Sequence, residues 1–175
     1  MRKRMDIKIE DNFLDQEKFI KLQIVMMGQD FYWYYNDTIV YVNEPDKFQF
    51  THIFHNGFAP ISSFCETLSP ILEVINPVSL WRIKANLLTR TSTIVENSFH
   101  VDMNHLSKEK LKQWTTSIFY INTYNGYTKF EDGTKVESVA NRFITFPSNM
   151  KHLGTSCTDQ KTRVVINFNY FTKDI

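Results

Sequence analysis

The sequence predicts an α+β domain in which helices come first and antiparallel strands follow, folded as a jelly roll of two facing β-sheets with helices bracing one of them. Three observations predict it. Apolar residues at helical spacing mark two stretches before Pro77, and seven short strand-favouring runs crowd the stretch after it. The 175 residues, 42% of them apolar, suit one compact core. No linker or internal repeat divides the chain. Residues 1–175 therefore read as a single domain, with 1–77 as helical support and early strands and 78–175 as the β-barrel core.

The first helix is expected from about Asp15 to Met27, with Asp15 as N-cap, Phe19, Leu22, Ile24 and Met26 as its apolar residues, and Gly28 closing it. A second is expected from about Ile61 to Ile75, with a break at Ser69-Pro70 and a stop at Pro77. Between them, 31–35, 38–42 and 48–54 are rich in aromatic and β-branched residues and read as early strands. After Pro77 the expected strands are 79–89, 93–102, 115–122, 128–131, 135–139, 142–146 and 163–171. Ser107 is the expected N-cap of a short helix to Gln113. Asp132-Gly133 marks a hairpin turn of the type in which both central residues take positive φ.

Charge and composition exclude several roles. Twenty Lys and Arg against 19 Asp and Glu leave a formal charge of +1, so no global field draws the chain to nucleic acid or an anionic membrane. The apolar runs fall far short of the roughly 20 residues that span a bilayer. The basic start, Met1 to Asp6, lacks a following apolar segment, so a signal peptide is not expected. Cys65 and Cys157 read as reduced thiols of a cytoplasmic protein. A chain of this length buries about 70% of its unfolded surface without staples, so any metal would be functional.

In Ser98-Phe99-His100-Val101-Asp102, strand periodicity puts His100 and Asp102 on one face. A His-x-Asp triplet alone arises by chance about 0.3 times in such a composition, so a third ligand is required. His152, after the 142–146 run and a Pro-Ser turn, is the candidate. Two histidines and a carboxylate form the facial triad of non-haem Fe(II), which leaves open coordination positions. Arg163 opens the last apolar strand on the face of Val165 and Asn167. It is expected to point inward, where a guanidinium needs an anion that no nearby acid supplies and a ligand carboxylate would.

The order His100-x-Asp102, His152, Arg163 resembles the Fe(II)- and 2-oxoglutarate-dependent oxygenases, and most of all their prolyl-4-hydroxylase-like branch. The resemblance covers about Trp81 to Phe171. Phe119-Tyr120-Ile121-Asn122 is similar to that branch's Tyr-Leu-Asn strand, and 125–143 running on to His152-Leu153-Gly154-Thr155 resembles small phage and bacterial members. It implies a double-stranded β-helix (a jelly-roll, cupin-like barrel) in which His100, Asp102 and His152 bind Fe(II). Arg163 and Tyr120 would bind the distal carboxylate of 2-oxoglutarate. The implied reaction consumes O2 and 2-oxoglutarate, releases succinate and CO2, and hydroxylates an unactivated C–H bond of a protein, a peptide (a prolyl residue among the choices) or a small molecule. Members that halogenate lack the metal carboxylate, which Asp102 supplies here. Two departures stand out: Arg90 occupies the place of a common Tyr, and Val165 that of a common Ser.

Two other classes compete with this reading. One is a non-catalytic binding module on the same barrel, and the other a zinc or manganese cupin-like protein, which has no use for an inward Arg163. His52 and His55 lack the partners of a tetrahedral zinc set and read as structural, and His105 as a solvent-facing loop residue. The aromatic run 31–35 reads as core packing against the helices, and the stretch from Arg90 to Ser98 as the lid of the pocket.

Overall fold

The computed structural model describes residues 7–41, 44 and 46–172. The basic start of the chain and part of the expected 38–42 strand lie outside them. In chain order the strands are β1 (Lys8–Glu10), β2 (Tyr34–Asn36), β3 (Gln49–Asn56), β4 (Ala59–Pro60), β5 (Ser79–Thr89), β6 (Thr115–Tyr120), β7 (Tyr124–Phe130), β8 (Lys135–Ser138), β9 (Phe143–Pro147), β10 (His152–Gly154) and β11 (Thr162–Phe171). The helices are α1 (Gln16–Met27), α2 (Ser69–Ile75) and α3 (Lys108–Leu111).

Among the described residues the strands form two antiparallel sheets. The larger runs β1-β9-β6-β11-β5-β3-β2, with β4 paired to β3, and the smaller runs β10-β7-β8. Period-two alternation gives the larger sheet two different faces. On β11, Val164, Ile166, Phe168 and Tyr170 face outward with Ile83 and Ala85 of β5 and Phe119 of β6. α1 covers that face with Phe19, Leu22 and Met26. Each such burial contributes about 1.5–3 kcal/mol. The opposite face carries Ile118, Tyr120, Ile144, Phe146 and Val165, which pack on Phe130 and Val136 of the smaller sheet. This is the double-sheet architecture expected, with the N-terminal helices bracing the outer face.

α1 begins where Asp15 accepts a hydrogen bond from the Lys18 N–H, and Gly28 ends it by donating to the Val25 carbonyl. The segment before α1 is fastened by Asn141, whose Oδ1 accepts from Leu14 N at 3.0 Å and whose Nδ2 donates to Leu14 O at 2.8 Å. Asn141 also sits at φ 62°, a left-handed conformation that Asn tolerates better than Ala. Asn141→Ala is expected to destabilise the fold by about 3 kcal/mol, through two buried hydrogen bonds and left-handed strain. An unchanged urea m-value with a lowered midpoint checks it, and a shift under about 0.5 kcal/mol contradicts it.

Several local expectations are corrected. The second helix starts later: Cys65–Leu68 is a 3-10 turn, and Pro70 lies in the first turn of α2, where its missing N–H costs nothing. Residues 38–41 form no strand, because the Gln49 side chain takes the Thr38 and Ile39 carbonyls that a ladder would need. Of 31–35 only Tyr34 and Tyr35 are in a strand. Phe31 packs in the core as expected, whereas Tyr32, Tyr34 and Tyr35 are 60–64% exposed. Residues 93–102 form no strand beyond single bridges at Glu96 and His100. In the β7–β8 hairpin, Gly133 alone takes positive φ. The Gly133 N–H bonds to Phe130 O and Phe130 N–H to Thr134 O, a three-residue loop with glycine at its left-handed position. β1, β4 and β10 were not expected.

Candidate active site

Between the two sheets lies a cavity whose wall is set by alternation. β5 sends Arg82, Lys84 and Asn86 into it, and β11 sends Arg163, Val165 and Asn167. His152 opens β10, which the smaller sheet holds against β7. His100 and Asp102 reach the same cavity from an irregular segment rather than a strand. What fixes that segment is a reciprocal backbone pair, His100 N–H to His152 O and His152 N–H to His100 O, both 3.0 Å.

The expected three ligands converge. Asp102 Oδ1 is 3.5 Å from His100 Nε2 and 3.8 Å from His152 Nε2. One ligand atom from each of the three lies within 4.8 Å of the others. The imidazoles are oriented from behind: His100 Nδ1 lies 3.1 Å from Ser98 O, and His152 Nδ1 lies 3.3 Å from Met150 O. With Nδ1–H donated to a carbonyl, each Nε2 keeps its lone pair for the cavity. Asp102 Oδ2 is held by Asn169 Nδ2 at 3.0 Å and lies 3.9 Å from Arg82 Nη2, which leaves Oδ1 turned to the histidines.

The donor set fits a divalent metal. His152 Nε2 is buried without a hydrogen-bond partner, a cost of about 1–3 kcal/mol that a coordinated ion removes. Two imidazole nitrogens and one carboxylate on one side of a cavity suit Fe(II). Burial pushes the His152 pKa down to about 4, so its ring is neutral and ready to ligate at neutral pH. Burial works the same way on His100, but Asp102 stabilises the protonated ring, which can donate from Nε2, and this outweighs burial and raises that pKa. Burial opposes ionisation of Asp102 as well. The His100 hydrogen bond and the positive charges around it prevail and hold its carboxyl well below the usual range.

Arg163 points inward and is 7% exposed. Its Nε donates to the Tyr124 hydroxyl at 3.1 Å, and among the described residues no carboxylate lies within ion-pair distance. A buried guanidinium without a counter-ion fits an anionic ligand. The Gly154 backbone lies against it, since a Cβ built there would come 2.7 Å from Arg163 Nη2. Tyr120 is fully buried, and its hydroxyl lies 2.6 Å from Thr128 Oγ1. Thr128, rather than Tyr120, lines the cavity. Val165 lines it too, whereas Arg90 is exposed, its backbone N–H bonded to Lys161 O.

Sequence reasoning missed Tyr124, Thr128, Gly154, Arg82 and Asn169. Asn169 was legible, because it shares the inward face of Arg163 and Asn167 on β11. Tyr124 was not, because the β7–β8 pairing shifts register between Tyr124 and Tyr127. The expected lid, 90–98, is tied down by backbone bonds from Thr91 to Cys157, Asn97 to Gly154 and Ser156 to Val95. His52 bonds Tyr32 O and Ser62 Oγ, and His105 is exposed beside Trp81, so neither joins the cluster. Cys65 and Cys157 are free thiols. No described helix is long and apolar enough to cross a membrane.

No family model and no curated protein matches the chain. Solved structures do. A Trichoplax adhaerens prolyl hydroxylase, in complex with a peptide fragment of the hypoxia inducible factor oxygen degradation domain, superposes with a TM-score of 0.68 at 12% identity, covering 96% of this chain and 84% of its own. A Pseudomonas putida prolyl-4-hydroxylase gives 0.59 at 12% identity over 97% and 94%. A non-heme α-ketoglutarate-dependent epimerase of nogalamycin biosynthesis gives 0.64 at 10% identity over 96% and 77%. The chain has the fold of the 2-oxoglutarate/Fe(II) oxygenases, in its prolyl-4-hydroxylase-like form.

Proposed function

We propose that the protein is a single-domain cytoplasmic Fe(II)- and 2-oxoglutarate-dependent dioxygenase that hydroxylates an unactivated C–H bond. One observation carries the reading: a His-Asp-His cluster with a buried, unpartnered His152 Nε2 shares its cavity with a buried arginine that has no counter-ion among the described residues. A zinc or manganese cupin would leave that arginine without purpose. A protein, peptide or small molecule is the substrate class, and a peptide draws support from the bound peptide of the Trichoplax enzyme.

His100 and His152 would supply nitrogen donors and Asp102 a carboxylate to the metal, with positions left open for co-substrate and oxygen. Bound there, iron supplies the oxidising chemistry by which 2-oxoglutarate and O2 become succinate and CO2 with transfer of one oxygen atom to substrate. Arg163 anchors the distal carboxylate and is itself oriented by Tyr124. Thr128, hydrogen-bonded to Tyr120, is placed to add a hydroxyl on the same side. Ile118 and Val165 form apolar wall that keeps bulk water from the reacting centre.

The test needs no substrate. Anaerobic addition of Fe(II) and then 2-oxoglutarate to the purified protein is expected to develop the weak visible charge-transfer band of a chelated keto acid. Metal binding with no band on adding 2-oxoglutarate would refute the oxygenase reading.

A further inference from the structure

The cavity holds more positive charge than metal and co-substrate explain. Arg82 is engaged, with Nε on Asn169 Oδ1 at 3.3 Å and Nη2 on the Asp102 carbonyl at 3.4 Å. Arg163 is the anchor for the co-substrate. Lys84 lies between them along the inward face of the sheet, half-buried and lining the cavity, and no hydrogen bond or ion pair reaches its ammonium among the described residues. Two charges on iron and two on 2-oxoglutarate cancel. Asp102 then stands as the one anion against Arg82, Lys84 and Arg163 among the described residues of the cavity wall.

A second unsatisfied group sits beside this lysine. Across the β5–β11 ladder Lys84 faces Asn167. Asn167 Nδ2 turns toward Asp102 Oδ2 at 3.5 Å, the orientation that keeps its oxygen away from a carboxylate, and this leaves Oδ1 buried without a partner. The pair therefore offers a cation to an anion and an acceptor to a neighbouring N–H or O–H. Burial and the like charge of Arg82 weaken the hold of Lys84 on its proton more than the attraction of Asp102 strengthens it.

We propose that the substrate carries an acidic group, a carboxylate or a phosphate, with a hydrogen-bond donor beside it, and that Lys84 and Asn167 are the residues that select it. This rests on the oxygenase reading and narrows its substrate class. Lys84 is here a specificity residue, distinct from the co-substrate anchor Arg163. An acidic residue within a peptide has this chemistry, its backbone N–H lying near its side-chain acid.

The test uses matched probes on the anaerobic Fe(II)·2-oxoglutarate protein: N-acetyl amides of aspartate against asparagine, and of phosphoserine against serine. Binding is read from the change each probe makes in the charge-transfer band. At least one acidic member is expected to bind about tenfold more tightly than its neutral counterpart, about 1.4 kcal/mol. The aspartate and phosphoserine arms distinguish the two acids. Lys84→Met, which keeps the apolar stem, is expected to bring that ratio to within about twofold while 2-oxoglutarate affinity and melting temperature hold. A band with no acid preference, or with no probe binding, overturns the proposal alone. Loss of 2-oxoglutarate affinity in Lys84→Met also overturns it, by assigning the lysine to the co-substrate. No band in the wild type defeats the oxygenase reading and the proposal with it.

Discussion

Asp102→Ala is expected to eliminate the charge-transfer band and to weaken Fe(II) or Mn(II) binding by more than about 100-fold, beyond the 10–100-fold typical of losing a group behind a ligand. Asp102 supplies the one anionic donor of the cluster, and without it two neutral imidazoles hold a dication in a site that also faces Arg82, Lys84 and Arg163. Removing the carboxylate also takes one acceptor from Asn169 Nδ2, which keeps Thr116 Oγ1, and the nearby anion from Arg82, so some stability is lost. Asn169→Ala separates the two effects, because it removes a hydrogen bond to Oδ2 while the carboxylate remains. It is expected to weaken metal binding by about tenfold and to retain the band at higher iron. Isothermal titration with Mn(II) under nitrogen measures both. Metal affinity in Asp102→Ala within about threefold of wild type would place the ion elsewhere.

Arg163→Met is expected to have the opposite signature, with metal binding retained and 2-oxoglutarate binding lost by about 30-fold to several thousand-fold, the range for truncating one partner of a buried charge pair. Gly154→Ala should produce a milder version of the same phenotype from the backbone side. Its new Cβ would lie 2.7 Å from Arg163 Nη2 and 3.2 Å from Cζ, so the guanidinium must shift. The shift draws Nε from Tyr124 and turns the fork away from its carboxylate. About tenfold in 2-oxoglutarate affinity is the expected cost, less than for deletion because a flexible side chain can give way. Titration of the charge-transfer band with 2-oxoglutarate reads both variants. Equal loss of metal and 2-oxoglutarate in Arg163→Met would make the arginine a prop of the fold instead of an anchor.

The parts of this structure that the sequence disclosed are those set by period-two alternation. Arg163, Val165, Asn167 and Asn169 share a face because β11 is one long strand paired on both sides, and its apolar complement Val164, Ile166 and Phe168 could face only a core. His100 and Asp102 were found by the right pair of residues for an inexact reason. The segment is irregular, and the two side chains meet because a single bridge to His152 and a turn after Val101 bring them together. β10, only three residues long, owes its existence to pairing with β7, a tertiary fact with no local signature. The same holds for 38–41, where one glutamine side chain replaces a ladder that the β-branched residues favoured. Tyr120 was placed by resemblance, and its hydroxyl rests on Thr128, a neighbour that only the facing of two sheets supplies.

The paired backbone bonds between His100 and His152 make the two nitrogen donors a single mechanical object. Their rings lie 4.8 Å apart, and the backbone pair between the two residues holds them there. Little ordering would have to accompany metal loading, because the seat is already assembled in the fold. A metal binding in that seat would thus be an exchangeable guest, its occupancy set by the supply around it, since the frame that holds the donors is built from backbone alone.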